Sequence, residues 1–532
     1  MMTDAAGRKE EAACQHDHPS HCHCCPDSPW RQELNVSRRT FLTSAAVGGA
    51  VLGGLSWASL ATAADAELPM PQGRTPLKVL PILVWSQPKR VPMRSWRNWG
   101  GIETPQQAAK EVARITKELA GIAGTADFPV EFAPVASVNN ANQVAADSPE
   151  LQTADVVIVY GAGGGVEACK NFGKDVILFQ RHRSGPVYLQ YEIISPRFLR
   201  QHTDELALQH ITFDDVVTDS LDELTWRLRS LCGLKNTKGT KILCIGGPAG
   251  WAQPAGVIPE LVQKVWNLDM PTVTYEDLGR LIKEARADAK AVALAKNRAE
   301  KYLGSPGTTL ETKREFVDNC FLLDQIFRGL MAKADCRAIT INGCMGTIMP
   351  MAQTSACLTL STLNDDGYLA FCESDFVVIP SGILLANISG LPVFLNDPTY
   401  PHDGLITLAH CTGPRKMDGK KIEQARIVTH FESDYGAAPK VEMPKGQVVT
   451  NIAPDFKSER WMGLLGTIVD APFLPICRDQ IDVAYGVPDK LVAERMPGFH
   501  WMMSYGDYTK ELGYALRRAG IAWDNLDDVP TA

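Results

Sequence analysis

The sequence has no long basic face, and acidic residues outnumber basic ones to leave a net charge of -8. Nucleic acid is thereby excluded as the main partner, since its binding draws on clustered Lys and Arg, and a small molecule becomes the expected ligand. No Gly-x-Ser-x-Gly elbow occurs, which removes a serine nucleophile of that kind. The dinucleotide fingerprint is incomplete as well. In Gly161-Ala162-Gly163-Gly164-Gly165-Val166 a valine stands where the third glycine is needed, so a tight turn with backbone N–H groups near a ligand is the better account. Dense cysteine spacing is also missing. Of fourteen cysteines, Cys14, Cys22, Cys24 and Cys25 sit near the start, and the other ten are scattered through apolar segments as expected for buried free thiols. Internal repeats are not evident.

What is present is ample apolar content, 45% of 532 residues with 21% charged, enough for roughly three globular domains. The first 66 residues stand apart. Ser37-Arg38-Arg39-Thr40-Phe41-Leu42 leads into a chargeless small-residue run from Thr43 to Ala64, with an Ala61-Thr62-Ala63 cleavage pattern. This resembles a twin-arginine export signal, implying the twin-arginine translocase as a partner and a periplasmic or otherwise exported location. An uncleaved anchor is the alternative, because about 20 apolar residues can cross a bilayer. No cysteine follows the run, which argues against a lipid anchor. Ahead of the arginines, Cys14, His16, His18, His21, Cys22, His23, Cys24 and Cys25 form either a soft-metal-binding tail or a disordered one without that role.

The remainder reads as an N-terminal α/β domain (67–180), a central α/β domain (181–380) and a β-rich C-terminal domain (381–532). Leu77 to Trp85, Val130 to Val138, Asp155 to Tyr160 and Asp175 to Phe179 are strand-like and alternate with helical segments, such as the one opened by Thr104-Pro105-Gln106-Gln107. Such alternation predicts a parallel sheet. Lys241 to Ile245 and Ala338 to Asn342 repeat the pattern, separated by a long helix capped at Thr274-Tyr275-Glu276-Asp277 and another over about Leu310 to Lys333. Beyond Ser381, short strands with few helices predict an antiparallel barrel or sandwich. One loop is unusual: Trp85 through Trp96-Arg97-Asn98-Trp99 gathers tryptophans and arginines, suited to stacking on a sugar ring and bridging its hydroxyls, or to packing at a subunit interface.

The stretch from Cys357 to Pro414 organises the chemistry. Glu373, Asp375, Asp397 and His410 each close or follow a short apolar run of strand-like composition, so strand ends are expected to present them. A carboxylate in such surroundings needs a partner or a metal. His430 and Glu432, two residues apart, are expected on one strand face. Asp375 stands in the same relation to Glu373 and is expected to orient it.

Taken in order, Cys357-Leu-Thr-Leu-Ser-Thr-Leu-Asn-Asp-Asp-Gly, Cys372-Glu373-Ser374-Asp375, Asn396-Asp397-Pro398, His410-Cys411-Thr412, Thr429-His430-Phe431-Glu432-Ser433, His500-Trp501 and Tyr505-Gly506-Asp507-Tyr508 resemble the L-fucose isomerase and L-arabinose isomerase superfamily, in its fucose-isomerase-like branch. The resemblance implies two parallel-sheet α/β domains followed by a β-rich, barrel-like domain, assembled as a homo-oligomer. It implies Glu373, Asp397 and His500 as ligands of a divalent metal, Mn²⁺ or else Mg²⁺, with Glu373 and Asp397 also the acid/base pair. Trp96, Arg97, His410 and His430 are the expected substrate contacts. The implied reaction is aldose–ketose isomerisation through an ene-diol, without an organic cofactor. Export is unusual for such an isomerase, and the alternative is a carbohydrate-binding or interaction protein on the same scaffold.

Overall fold

The computed structural model describes residues 52–61, 68–97, 101–144, 148–163, 166–188, 194, 211–251, 253 and 257–529. The arginine pair, the Cys/His-rich tail, Ala63 and Trp99 lie outside them.

The expected layout of two parallel-sheet units and a C-terminal antiparallel barrel is what the chain forms. In the first sheet the apolar run Leu77–Val84 lies at the centre, flanked on one side by Val130–Phe132 and Ala136–Val138 and on the other by Val156–Gly161, Asp175–Gln180 and Val216–Thr218, all parallel. Helix Pro105–Thr125 covers it; its start is fixed where Thr104 accepts the Gln107 N–H, with proline at the first turn. The sheet thus continues past residue 180.

The second sheet runs in the order Leu369–Phe371, Ala338–Ile341, Ile242–Ile245, Thr272–Val273, again all parallel. Helices Val257–Trp266, Tyr275–Ala287, Ala289–Leu303 and Arg314–Ala334 pack around it. The long helix expected after Thr274 is two, because Asp288 leaves the helical conformation and its side chain caps the second by accepting the Lys290 N–H.

In the third unit six antiparallel strands close on themselves: Val448–Pro454, Trp501–Tyr505, Phe394–Pro398, Leu405–His410, Asp479–Ala484 and Arg460–Asp470, the last pairing back to the first. Closure leaves no open edge among these six. Ala522–Asn525 adds outside the ring, parallel to Arg460–Asp470. One apolar core runs without a break from the central sheet into the barrel, joining Ile339 and Phe371 to Phe394, Trp461 and Met502. Those two units therefore hold their facing strand ends in fixed relation.

Two apolar runs given no helix by the sequence pattern are helical. They are Cys357–Asp365 and Ile379–Ser389, and the second crosses residue 380 into the stretch expected to hold few helices. Every residue of Ile379–Ser389 is buried. A helix buried all round has no polar face, so the 3.6-residue period that would identify it is absent.

The end of the apolar run near the N-terminus also belongs to the folded core. Trp57–Ala61 is a short helix whose Trp57 and Leu60 are buried. Trp57 Nε1 donates to Asp288 Oδ2 at 2.9 Å, and its backbone N–H to Glu284 Oε2 at 2.6 Å. Among the described residues no helix is long and apolar enough to cross a membrane.

Candidate metal centre

Glu373 follows the strand Leu369–Phe371 at the carboxyl end of the central sheet, where the chain turns through left-handed backbone at both Glu373 (φ 65°) and Ser374 (φ 47°). For side chains with a Cβ this costs about 1–2 kcal/mol per residue, and such strain persists only where neighbours hold it. The hold comes from the turn after Ile242–Ile245. Phe376 N–H donates to the Ala249 carbonyl, and Asp375 Oδ1 accepts the backbone N–H groups of Trp251 and Val377, each at 3.0 Å. The two turns sit at carboxyl ends of one parallel sheet, one strand apart, where α/β folds place ligands.

The barrel supplies the other side. Asp397 lies within Phe394–Pro398, opposite Ala409, while Asn396 pairs with Trp501 on the other flank. That register brings Asp397 beside His410, which closes one strand, and His500, which precedes the next. His500 Nε2 stands 3.3 Å from Glu373 Oε2 and 3.2 Å from Asp397 Oδ1. His410 Nε2 is 3.8 Å from Glu373 Oε1. Ligand atoms of Glu373, His410 and His500 all lie within 4.8 Å of one another, a group able to hold a metal ion. Of the three residues expected as ligands, Glu373 and His500 stand in this group, Asp397 reaches it through His500, and His410, expected to touch substrate, is the third member.

Asp375 does not orient Glu373 as its spacing suggested. Its Oδ2 is 2.6 Å from His500 Nδ1, a carboxylate–histidine pair that aims Nε2 at the cluster. Burial opposes charge on His500, but its hydrogen bond to Asp375 and the close carboxylates of Asp397 and Glu373 outweigh that and hold its pKa well above the ordinary value. Asp397 Oδ1 is buried and lacks an aligned hydrogen bond, although its contact with His500 is short. A buried carboxylate oxygen left in that state is what a cation would satisfy.

His430 is buried at the end of Ala425–His430. Burial, then His410 and Arg478, lower its pKa to about 4, so the ring is neutral near pH 7. Glu432 lies past the strand end in a turn, and the two do not share a strand face. Trp96 and Arg97 pack on each other, the guanidinium 5.1 Å from the ring centroid. Neither belongs to the group formed by Glu373, His410 and His500.

Some neighbours of the cluster were not legible as such. Trp251 stacks on the half-exposed Phe499, with ring centroids 4.6 Å apart and planes 8° from parallel, and Trp251 also meets His500 edge-on. The only sequence signal for Trp251 was its place after a strand-end turn. Cys477 is drawn in too: burial pushes its thiol up, and Asp397, Glu432 and Glu373 push the same way. No protein-family model and no curated protein matches the chain.

Proposed function

We propose that the protein is a divalent-metal-dependent aldose–ketose isomerase. The observation that carries this reading is the meeting of Glu373, His410 and His500 within 4.8 Å, with Asp397 3.2 Å from His500 and Asp375 fixing the His500 ring from behind. The residues fit a cation. Two carboxylates and one or two imidazoles favour Mn²⁺ or Mg²⁺ over a closed structural zinc site, and a cation would replace the positive charge that His500 otherwise carries among three carboxylates. When bound, the metal supplies Lewis-acid stabilisation of negative charge developing on substrate oxygens.

The protein's own groups do the rest. Glu373 and Asp397 flank the cluster from opposite domains, so one carboxylate removes the carbon-bound proton and the other carboxyl returns a proton to the neighbouring carbon. The Trp251–Phe499 pair offers an apolar face beside His500 on which a sugar's C–H face can stack. Its place at the edge of the cluster orients the polyol toward the carboxylates and limits water there.

The test is a panel of aldoses and ketoses incubated in D₂O with the Mn²⁺-loaded protein. Solvent deuterium at the carbon next to the carbonyl is the expected result for at least one sugar, and Glu373→Gln should abolish it even at saturating Mn²⁺. Sugar binding without any exchange would overturn catalysis in favour of a carbohydrate-binding role.

A further inference from the structure

Behind the carboxylate cluster lies a second group of a different chemical kind. Cys357 opens the buried helix Cys357–Asp365, Cys411 follows the strand Leu405–His410, and His430 ends Ala425–His430. All three are at most 6% exposed, and their ligand atoms lie within 4.8 Å of one another. The two sulfurs are 3.3 Å apart. Two thiols and an imidazole from separate elements therefore meet in one place.

Buried cysteines often serve as small apolar filler. Here they do not merge into the aliphatic core: Cys357 and Cys411 form a small cluster of their own with Ala438 alone. His430 is also oriented from behind, its Nδ1 lying 3.0 Å from Ser433 Oγ and accepting the Ser433 backbone N–H at 3.4 Å. Ligation through Nε2 would move the ring proton to Nδ1, toward the Ser433 hydroxyl.

We propose that Cys357, Cys411 and His430 form a binding site for a thiophilic cation of the Zn²⁺ class, separate from the carboxylate centre. Two sulfurs and one nitrogen are the ligand types zinc takes, whereas Mn²⁺ and Mg²⁺ prefer oxygen. Binding converts thiols to thiolates, so each cation taken up releases the coordinating thiols' protons to solvent, with no change of oxidation state. Cys411 is bonded to His410, so ligation pins the backbone under one member of the neighbouring cluster.

The test uses reduced, metal-depleted protein titrated with Cd²⁺ and followed by thiolate-to-metal charge-transfer absorbance. The expected result is a band that saturates at one equivalent, is displaced by Zn²⁺, and does not appear with Mn²⁺. Zn²⁺ uptake by the wild-type protein should release more than one proton per cation, a measurement that needs no variant. Cys357→Ser and Cys411→Ser should each weaken Cd²⁺ binding at least tenfold, while Glu373→Gln keeps the band; loss of sugar turnover alone would leave this site standing. Absence of the band at saturating Cd²⁺, affinity unchanged in both serine variants, or a Cys357–Cys411 disulfide in the purified protein would overturn the proposal.

Discussion

Asp375 shows how much one buried atom decides. Its Oδ1 is committed to the N–H groups of Trp251 and Val377, so only Oδ2 is left for His500 Nδ1. In Asp375→Asn the oxygen would stay with the two backbone donors, and the amide nitrogen would face Nδ1 and donate to it. The imidazole would then carry its proton on Nε2, the atom aimed at the cluster. The expected outcome is a 10- to 100-fold loss of Mn²⁺ affinity, measured by calorimetric titration, with exchange recovering at high Mn²⁺ as it does not in Glu373→Gln. Unchanged affinity would remove Asp375 from the metal site. Asp365 gives a second residue-scale test, remote from the metal ligands. Burial raises its pKa to about 7, opposed by the backbone N–H groups of Lys416 and Arg415, which both bond Oδ1 at 2.7 Å. Its folded pKa lies above the unfolded value near 3.9. The stability it contributes is therefore complete below that value and lost as pH rises through about 7. Asp365→Asn mimics the protonated form, keeping the oxygen for both donors. Between pH 5 and 8 the variant should gain on the wild type by up to about 1.4 kcal/mol per pH unit, read by denaturant unfolding; parallel profiles would show the carboxyl to be charged throughout.

At the scale of elements, sequence pattern is informative wherever an element is a short apolar run bounded by polar turns or begins on a cap. Leu77–Val84, Asp175–Gln180 and Ala338–Ile341 are short apolar runs bounded by polar turns, and Thr104 and Thr274 cap the helices expected there. Periodicity fails for Cys357–Asp365 and Ile379–Ser389 because tertiary burial removes the polar face on which it depends. The candidate ligands Glu373, Asp397 and His500 were legible because motif order names them. Trp251, Phe499 and the thiols were not, since only the packing of separate elements brings them together. The helix Trp57–Ala61 is a further case: its residues read as the end of an export signal, yet Leu60 packs against Gly329 of Arg314–Ala334 and Arg280 donates to the Leu55 carbonyl. A chain beginning at Ala64, as signal cleavage would produce, uncovers the surface beneath Trp57 and Leu60. Each such side chain buries on the order of 1.5–3 kcal/mol. The shortened chain is expected to unfold at a lower temperature than the full chain in a thermal scan, and equal midpoints would show that the helix adds nothing to the folded unit.

Across the whole molecule the candidate centre is a seam. Glu373 and Trp251 come from the carboxyl edge of the central parallel sheet, whereas Asp397, His410 and His500 come from the barrel, and the shared apolar core behind them keeps the two edges at a fixed separation. Glu373, Asp397 and Asp375 crowd around a single imidazole, so without a cation the His500 proton is the nearest positive charge to all three. A divalent cation bound by groups from both units adds attraction across the seam that the unfolded chain cannot reproduce, because its ligands are scattered over more than a hundred residues. Stabilisation then follows from mass action and amounts to about 2.7 kcal/mol at a hundredfold excess over the dissociation constant. Saturating Mn²⁺ should therefore raise the unfolding temperature of metal-depleted protein and a chelator should reverse the rise. His500→Gln and Glu373→Gln should each reduce the shift, since either change removes a ligand from one side of the seam. A shift that survives both substitutions would place the stabilising cation elsewhere, and no shift at all at saturating Mn²⁺ would mean that this junction of sheet and barrel is held by its own hydrogen bonds and not by a metal.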